Sequence, residues 1–303
     1  MSSTALKSWI SALRLRTLPL ALASIGMGSF LAAYAGRFNL PIFSFSALTT
    51  IFLQILSNLA NDYGDSAHGA DHSLRKGPNR MVQSGLISKS AMRFAILVLI
   101  VLSLVSGIYL LYLAFGWNGG AFLVFLLIGI TAILAAIAYT AGSKPYGYSG
   151  LGDLSVLIFF GLVGVLGTYY LYTGELYPSL ILPALSCGFF SISVLNLNNI
   201  RDIESDKMAG KKSIPVRLGR ERAVIYHEVL LIAGTACALA FVIIEVKEWT
   251  AFIFVITTPL FVQNFLAVKN IQDPTKLDPY LRQMAISTLI FVLVFGIGLL
   301  FSI

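Results

Sequence analysis

The sequence predicts an all-α polytopic membrane protein, and three observations lead to this fold class. Of its 303 residues, 57% are hydrophobic and only 12% are charged, and the mean hydropathy is +0.84. A helix needs about 20 apolar residues to cross a hydrocarbon layer of about 30 Å, and nine stretches of this chain are long enough. Lysine and arginine are concentrated in alternate connections between those stretches. A soluble domain would not combine these three features.

The nine predicted spans follow one another closely along the chain, except at two places. Loops 62–93 and 200–222 are the longest connections, and they contain most of the polar residues. We therefore expect a single transmembrane domain over residues 1–303, without a soluble domain. The predicted spans are 17–36, 41–61, 94–116, 119–141, 153–173, 178–199, 223–244, 249–268 and 284–302.

The placement of basic residues orients these spans. Of the 21 lysines and arginines, 19 fall in the amino-terminal segment and the even-numbered loops, and only Arg37 and Lys247 fall on the opposite side. The positive-inside rule then predicts a multi-pass protein of the cytoplasmic (inner) membrane, with a cytoplasmic amino terminus and an external carboxyl terminus. The net charge of +7 is explained by loops that face anionic lipid and an anionic substrate. The sequence contains no motif typical of nucleic-acid binding.

Two similar polar segments indicate an internal repeat. Asn58 and Asp62 end the second predicted span, and Asn198 and Asp202 end the sixth with the same spacing, 140 residues further along. This offset corresponds to four spans. We expect two parallel four-helix repeats plus a ninth helix, arranged around a central cavity that opens to the cytoplasmic side. Membrane proteins built from repeats commonly place a site between the two halves.

Both polar segments contain carboxylates suited to a divalent cation. Residues four apart lie on one face of a helix, so Asn58 and Asp62 point the same way, as do Asn198, Asp202 and Asp206. If the second and sixth spans face each other, their carboxylates, including Asp65, converge at the cytoplasmic end. Mg²⁺ binds one or two protein carboxylates and completes its shell with water and substrate phosphates. The alternative is that both segments are ordinary solvated loops, in which Asp and Asn favour turns. The matched spacing favours a site for Mg²⁺ and a diphosphate, with lysines and arginines of the same loops nearby.

A third polar segment, 139–153, follows the fourth span and is broken by glycine and proline. It could be an interfacial aromatic turn in which Lys144 extends to the lipid surface. It could instead cover the cytoplasmic mouth, with Lys144 at a phosphate. In that case the rings of Tyr139, Tyr146 and Tyr148 would face a developing cation.

At these residues the chain resembles the UbiA superfamily of intramembrane aromatic prenyltransferases, and within it the branch that acts on 1,4-dihydroxy-2-naphthoate. Arg16 also matches a family position near the diphosphate. Gly69 stands where the family's first motif often has a third aspartate, and Asp71 is the nearest substitute. We expect Asp71 and Glu204 to be solvated rather than metal ligands. The stretches that carry the resemblance are Gln54 to Asp65, Gly77-Pro78-x-Arg80, Pro145 to Asp153, and Asn198-Asn199-x-Arg201-Asp202-x-x-x-Asp206.

The resemblance implies a reaction and a role for each site residue. A polyprenyl group passes from polyprenyl diphosphate to 1,4-dihydroxy-2-naphthoate with decarboxylation, which gives demethylmenaquinone, pyrophosphate and CO₂ in menaquinone biosynthesis. Mg²⁺ is held by Asp62, Asp65, Asp202 and Asp206, which Asn58 and Asn198 orient. Tyr139, Tyr146 and Tyr148 face the allylic cation. The groups that neutralise the diphosphate are Arg16, Arg80, Lys144, Arg201, Lys207 and Lys211.

Two alternatives remain at the level of sequence. Another member of the superfamily, acting on 4-hydroxybenzoate or homogentisate, would have the same metal and diphosphate residues. An anion transporter would also be a polytopic membrane protein, but coupling ions and substrates usually bind near the centre of the spans. In this chain the charged residues are instead gathered at one end of the spans.

Overall fold

The computed structural model describes residues 3–67, 77, 80–117 and 119–303. Within these residues every regular element is helical, and nine helical segments are long and apolar enough to cross a membrane. The all-α class and the nine spans predicted from the sequence are therefore confirmed. The helices are α1 (Ser3–Leu13), α2 (Leu18–Tyr34), α3 (Leu40–Ala67), α4 (Lys89–Phe115), α5 (Gly120–Ala138), α6 (Gly152–Thr173), α7 (Pro178–Arg201), α8 (Ile203–Met208), α9 (Ile214–Leu218), α10 (Arg220–Val246), α11 (Trp249–Asn270) and α12 (Pro274–Leu300).

The first span is preceded by a break that sequence periodicity did not reveal. Arg14 adopts a left-handed conformation, with φ of 48°, and a 3₁₀ turn follows over Leu15–Thr17. Helix α2 then begins with Pro19 in its first turn, where a missing N–H costs little. The break separates α1 from α2 and places Thr17 beside Gln54 and Asn58 of α3 and Arg16 beside Asp278 of α12. Both residues line the cavity described below.

The helix packing agrees with two repeats and an additional helix. The second and third spans, α3 and α4, pack together, as do the sixth and seventh, α7 and α10. The ninth span, α12, packs against α2 of the first half and against α7 and α11 of the second half. The last helix therefore joins the two halves.

Aromatic residues form the core where α7, α11 and α12 meet. The rings of Phe190 and Phe261 stack with their centroids 4.3 Å apart, and Phe291 contacts Phe190 at 4.9 Å. The outward faces of α4, α5 and α10 expose leucine, isoleucine and valine, such as Leu97 and Ile232 at 60% and 62%. In water such a surface would be costly, whereas lipid accommodates it at little cost. The bundle is built to be surrounded by hydrocarbon.

The end of α3 approaches the loop after α5 so closely that only glycine fits between them. A Cβ placed on Gly64 would lie 2.7 Å from the backbone carbonyl carbon and oxygen of Thr140. The Thr140 hydroxyl donates to the Ala60 carbonyl at 3.2 Å and to the Asn61 side chain at 3.1 Å. This contact holds the end of α3 against the segment that follows α5.

Gly64→Ala is therefore expected to destabilise the protein by about 1–3 kcal/mol, because overpacking forces backbone to move. Thermal unfolding in detergent would measure this as a lower Tm. Gly120→Ala is the matched control, since a Cβ at Gly120 meets nothing within 4 Å. Equal Tm values for the two variants would contradict the close approach.

Candidate active site

Three polar segments meet at one end of the bundle. The Tyr148 hydroxyl donates to Asp65 Oδ1 at 2.6 Å, which joins segment 139–151 to the end of α3. The backbone N–H of Lys212 donates to the Tyr148 carbonyl at 2.9 Å, and Arg217 Nη2 donates to the Ser149 carbonyl at 2.7 Å. Because these bonds link three connections that are distant in sequence, their polar side chains share one region.

The two acidic motifs are joined by a single ammonium group. Lys211 Nζ lies 3.7 Å from Asp65 Oδ1 and 3.2 Å from Asp206 Oδ1. Arg80 forms an ion pair with the other oxygen of Asp65 and donates to the Asn61 carbonyl at 2.6 Å. Arg80, Asp65, Lys211 and Asp206 thus form a chain of alternating charges, here called the Lys211 chain. The structure brings the end of α3 close to α8, the short helix that follows α7, as the matched spacing of the two motifs had suggested.

A second chain of alternating charges, here called the Asp278 chain, consists of Arg16, Asp278, Arg201 and Asp202. Asp278 accepts from Arg16 Nη1 and from Arg201 Nη1, each at 2.6 Å. Arg201 also donates to both oxygens of Asp202, from Nε at 3.0 Å and from Nη2 at 2.6 Å. Such a two-point contact fixes both the position and the plane of a carboxylate.

Burial raises the pKa of two groups that lie beside Lys211, Asp206 and Tyr148. Burial raises the pKa of Asp206, while the nearby Lys211 ammonium acts in the opposite direction. Burial and the Asp65 carboxylate raise the pKa of the Tyr148 hydroxyl, which therefore stays protonated and donates to Asp65. Lys211 Nζ lies 5.0 Å from the centre of the Tyr148 ring. The tyrosine thus holds an anion with its hydroxyl and a cation with its ring.

A cavity of about 500 Å³ begins at these charged groups and continues between the helices. Its inner walls are mainly apolar and come largely from α2, α4, α5 and α6, with Ile25, Leu111, Phe125 and Leu171 among the lining residues. Eleven of the fifteen site residues predicted from the sequence line it: Arg16, Asn58, Asp65, Arg80, Tyr139, Tyr146, Tyr148, Asn198, Asp202, Asp206 and Lys211.

Four predicted site residues do not line the cavity. Lys144 and Lys207 are exposed on their segments, as is Glu204. Arg201 is buried and does not line the cavity, although it donates to Asp202 and Asn198, which do. Asp62 is turned toward the backbone instead. The prediction for Asp71 lies outside the described residues.

Asp62 anchors the segment that contains Arg80. Its two carboxylate oxygens accept the backbone N–H groups of Met81 and Val82 at 2.9 and 3.0 Å, and the residue is only 1% exposed. This carboxylate determines where the chain runs after Arg80 and hence where Arg80 meets Asp65.

Asp62→Ala is expected to remove about 2–5 kcal/mol of stability, because two buried donors lose a charged acceptor. Turnover should fall as well, since Arg80 would lose its position. Thermal unfolding in detergent, followed beside turnover, measures both effects. An unchanged Tm with lost turnover would contradict this role and favour Asp62 as a metal ligand.

The asparagines and tyrosines around the charged groups form hydrogen bonds and ring contacts with neighbouring residues. Asn58 Nδ2 donates to the Leu13 carbonyl at 2.9 Å and to the Thr17 hydroxyl at 3.0 Å, so it holds the break between α1 and α2. Asn198 accepts from Arg201 Nη2 at 2.8 Å. The rings of Tyr139 and Tyr146 pack edge to face with centroids 5.3 Å apart. This ring contact stiffens the polar segment, whose Tyr139, Tyr146 and Tyr148 line the cavity.

The site residues predicted from the sequence did not include Asp278 and Thr17, nor Gln54, although Gln54 begins one of the stretches that carry the resemblance. Gln54 and Thr17 line the cavity, and Gln54 Nε2 donates to the Thr17 hydroxyl at 3.1 Å. Asp278 lies just before the predicted start of the ninth span at residue 284, and it was therefore assigned to a loop. The one available signal was a carboxylate next to Pro279 at the beginning of an apolar stretch.

The charges that line the cavity are nearly balanced. Among the described residues these are five basic side chains, Arg14, Arg16, Arg80, Lys211 and Arg282, and four acidic ones, Asp65, Asp153, Asp202 and Asp206. A diphosphate has several negative charges, so it needs additional positive charge to bind here. Divalent cations that enter with the substrate would supply it.

The carboxylates at the charged end of the cavity suit Mg²⁺ if water and the substrate's phosphates supply its remaining ligands. Within the described part of the chain, no three His, Cys, Asp or Glu side chains converge on a point that could hold a metal ion. Mg²⁺ usually needs only one or two carboxylates and takes its other ligands from water and phosphate. Asp65, Asp206 and Asp202 line the charged end of the cavity and are the residues that would hold it.

The fold and the site together define a class of protein. A membrane-spanning helical bundle encloses a cavity that is charged at one end and mainly apolar along the rest, as a molecule with an anionic head and a long apolar tail requires. The chain belongs to the UbiA prenyltransferase family, whose model matches residues 21–291.

Characterised relatives match over nearly the whole chain. A 1,4-dihydroxy-2-naphthoate octaprenyltransferase from Haemophilus influenzae is 45% identical over 99% of this chain and 98% of its own. The protein of the same name from Escherichia coli is 41% identical over 98% and 96%. That from Mycobacterium tuberculosis is 33% identical over 97% of both chains.

Solved structures share the fold at lower identity. The apo structure of a UbiA homolog from Aeropyrum pernix has a TM-score of 0.67 and 17% identity, and the match covers 95% of this chain and 98% of that one. A UbiA homolog from Archaeoglobus fulgidus bound to GPP and Mg²⁺ has a TM-score of 0.61 and 18% identity, over 96% and 99% of the two chains.

Proposed function

We propose that this protein transfers a polyprenyl group from polyprenyl diphosphate to 1,4-dihydroxy-2-naphthoate in the cytoplasmic membrane. The observation that carries the proposal is the Lys211 chain, in which one ammonium joins the carboxylates of both motifs at the charged end of an apolar cavity. The choice of acceptor is supported by the activity named for relatives at 41–45% identity.

The charged end would hold the diphosphate. Lys211, Arg80 and Arg16 line the cavity there and can donate to phosphate oxygens. Mg²⁺ held by Asp65, Asp202 and Asp206 would supply positive charge against the leaving diphosphate. Preorganised cations lower the barrier most where negative charge develops, which here is the oxygen that leaves the allylic carbon.

The apolar part of the cavity would take the tail and protect the reaction. When the C–O bond breaks, its electron pair leaves with the diphosphate and the allylic carbon becomes cationic. Water would capture this cation, so the apolar walls and the segment 139–151 have to exclude it. The rings of Tyr139, Tyr146 and Tyr148 line the same region and can stabilise a cation by about 1–2 kcal/mol each where water is absent.

The acceptor completes the reaction with its own electrons. A ring carbon bearing the carboxylate attacks the allylic cation and forms the new C–C bond. Loss of CO₂ returns the electron pair of its bond to the ring and restores aromaticity. The product is demethylmenaquinone in its quinol form, with pyrophosphate and CO₂ released. No protein base is required for this sequence.

The charge distribution supports an orientation in which the site opens to the cytoplasm. The three segments that meet at the site also contain most of the basic residues, which the positive-inside rule assigns to the cytoplasmic side. Water-soluble naphthoate would enter from that side, while the polyprenyl tail would come from the membrane.

Purified protein in detergent, supplied with Mg²⁺ and farnesyl diphosphate as a short polyprenyl donor, tests the proposal. Parallel reactions would contain 1,4-dihydroxy-2-naphthoate, 4-hydroxybenzoate or homogentisate, and mass spectrometry would identify the lipid products. We expect a prenylated product that has lost CO₂ with the naphthoate, together with pyrophosphate release. A product formed only from another acceptor, or substrate flux into proteoliposomes without chemical change, would overturn the proposal.

A further inference from the structure

Asp278 lies on the ninth span, outside both acidic motifs, yet it joins the two halves of the bundle at the site. Its two oxygens accept from Arg16 of the segment before α2 and from Arg201 at the end of α7, each at 2.6 Å. A carboxylate that accepts from two arginines on different elements fixes the separation of those elements. The helix left over from the two repeats therefore contributes a group to their junction.

Arg201 is the group through which Asp278 acts on the cavity. Its side chain is 1% exposed, and it donates to both oxygens of Asp202 and to Asn198. A Cβ on Gly77 would lie 2.6 Å from Arg201 Nη2, so the guanidinium is also confined from the side of the first motif. Asn198 and Asp202 belong to the end of α7, whereas Asp278 comes from α12. Its carboxylate places a second negative charge beside the guanidinium, after that of Asp202.

We propose that Asp278 is a positioning residue for prenyl transfer: it holds Arg201, and through it Asp202, in place, and it neutralises one of the two arginine charges beside the cavity. The activity part of this inference rests on the proposed function, whereas its metal-binding part does not. Asp278 is not among the residues that line the cavity, although Arg16 and Asp202 are. It therefore acts through the groups that it pairs with.

The proposal predicts that each substitution changes the affinity for a divalent cation and the affinity for the anionic diphosphate in opposite directions. The Asp278 chain is neutral overall, with two arginines and two aspartates. Asp278→Asn leaves it with one net positive charge, which disfavours a divalent cation and favours an anionic diphosphate. Arg16→Gln leaves one net negative charge and should have the reverse effects. Simple structural damage would weaken the binding of both ligands in both variants.

The experiment measures Mn²⁺ and diphosphate separately. Binding of Mn²⁺ alone to purified protein is followed by electron paramagnetic resonance of the free ion, and it requires no turnover. The KM for farnesyl diphosphate and kcat are then measured at saturating Mg²⁺. For Asp278→Asn we expect Mn²⁺ to bind about fivefold more weakly, a charge effect reduced by partial solvent screening. Its kcat should fall about tenfold, since Asp202 loses its orientation, while KM is unchanged or lower.

Two further variants and a control complete the test. Asp278→Glu keeps the charge and should recover most of the Mn²⁺ affinity. Arg16→Gln should bind Mn²⁺ more tightly and raise KM. Asp273→Asn is the matched control, because Asp273 lies five residues earlier, immediately before α12, is exposed and contacts Thr275 and Lys276. It should behave like the unmodified protein.

Mn²⁺ affinity in Asp278→Asn equal to that of Asp273→Asn would overturn the proposal, and so would parallel weakening of Mn²⁺ and diphosphate. If Asp278→Asn does not accumulate in the membrane, Arg16→Gln decides, because weaker Mn²⁺ binding there contradicts the charge argument. Absence of prenyl transfer by the unmodified protein would instead refute the proposed function. The Mn²⁺ measurements would still decide the role of Asp278.

Discussion

Asp206→Asn is expected to lower kcat about a thousandfold, which corresponds to about 4 kcal/mol of barrier. Asp206 lines the charged end of the cavity and is held there by Lys211 at 3.2 Å. Asparagine keeps the size of the side chain and one acceptor oxygen but removes the charge that a divalent cation would need. The loss should therefore be a loss of chemistry rather than of folding.

Turnover and thermal unfolding of the purified variant in detergent would separate these two effects. Glu204→Gln is the matched control: it removes a carboxylate from the same short helix, α8, but Glu204 is exposed and does not line the cavity. It should retain nearly full activity. Activity of Asp206→Asn close to that of Glu204→Gln, at limiting Mg²⁺, would refute the assignment of Asp206 to the metal.

Lys211→Met is expected to lower kcat/KM about a hundredfold, through the loss of one phosphate contact and of the charge between two carboxylates. Without the ammonium, Asp65 and Asp206 repel one another, and the contact between the end of α3 and α8 weakens. Methionine retains most of the apolar stem, so packing against Tyr148 should persist. Lys211→Arg keeps the charge and should lose far less activity.

Lys212→Met provides the control for this prediction. Lys212 is the next residue along the chain, it is exposed, and only its backbone contacts Tyr148. Both substitutions remove one positive charge at nearly the same place, but only Lys211→Met also removes the bridge between Asp65 and Asp206. Equal kinetic effects of the two substitutions would mean that long-range charge alone matters, and would contradict the bridging role.

The local features of the fold follow from local sequence. Spans of about 20 apolar residues were visible because hydrocarbon thickness dictates their length, and all nine are present in the described chain. The matched spacing of Asn58 to Asp62 and of Asn198 to Asp202 correctly indicated two helix ends that meet. Periodicity within one helix is a local property, so sequence alone was enough to detect it.

The sequence was less informative about the direction in which individual side chains point. Asp62 and Asp65 belong to one motif, but Asp65 meets Arg80 and Lys211 at the cavity, whereas Asp62 accepts two backbone N–H groups from residues 81 and 82. Which carboxylate faces the substrate depends on the path of a loop that is distant in sequence. A motif therefore identifies where the charges gather and leaves their individual partners open.

By itself, the sequence determined that the protein is a nine-span helical membrane protein with acidic and basic groups gathered at one end, since span length, charge placement and helix spacing are local quantities. The tertiary structure decided that Lys211 joins the two motifs, that Asp62 holds a loop, and that Asp278 connects the two halves. These pairings bring together groups as far apart as residues 16 and 278. They arise because buried charges have to be paired, and only the packed helices determine which partners are close enough.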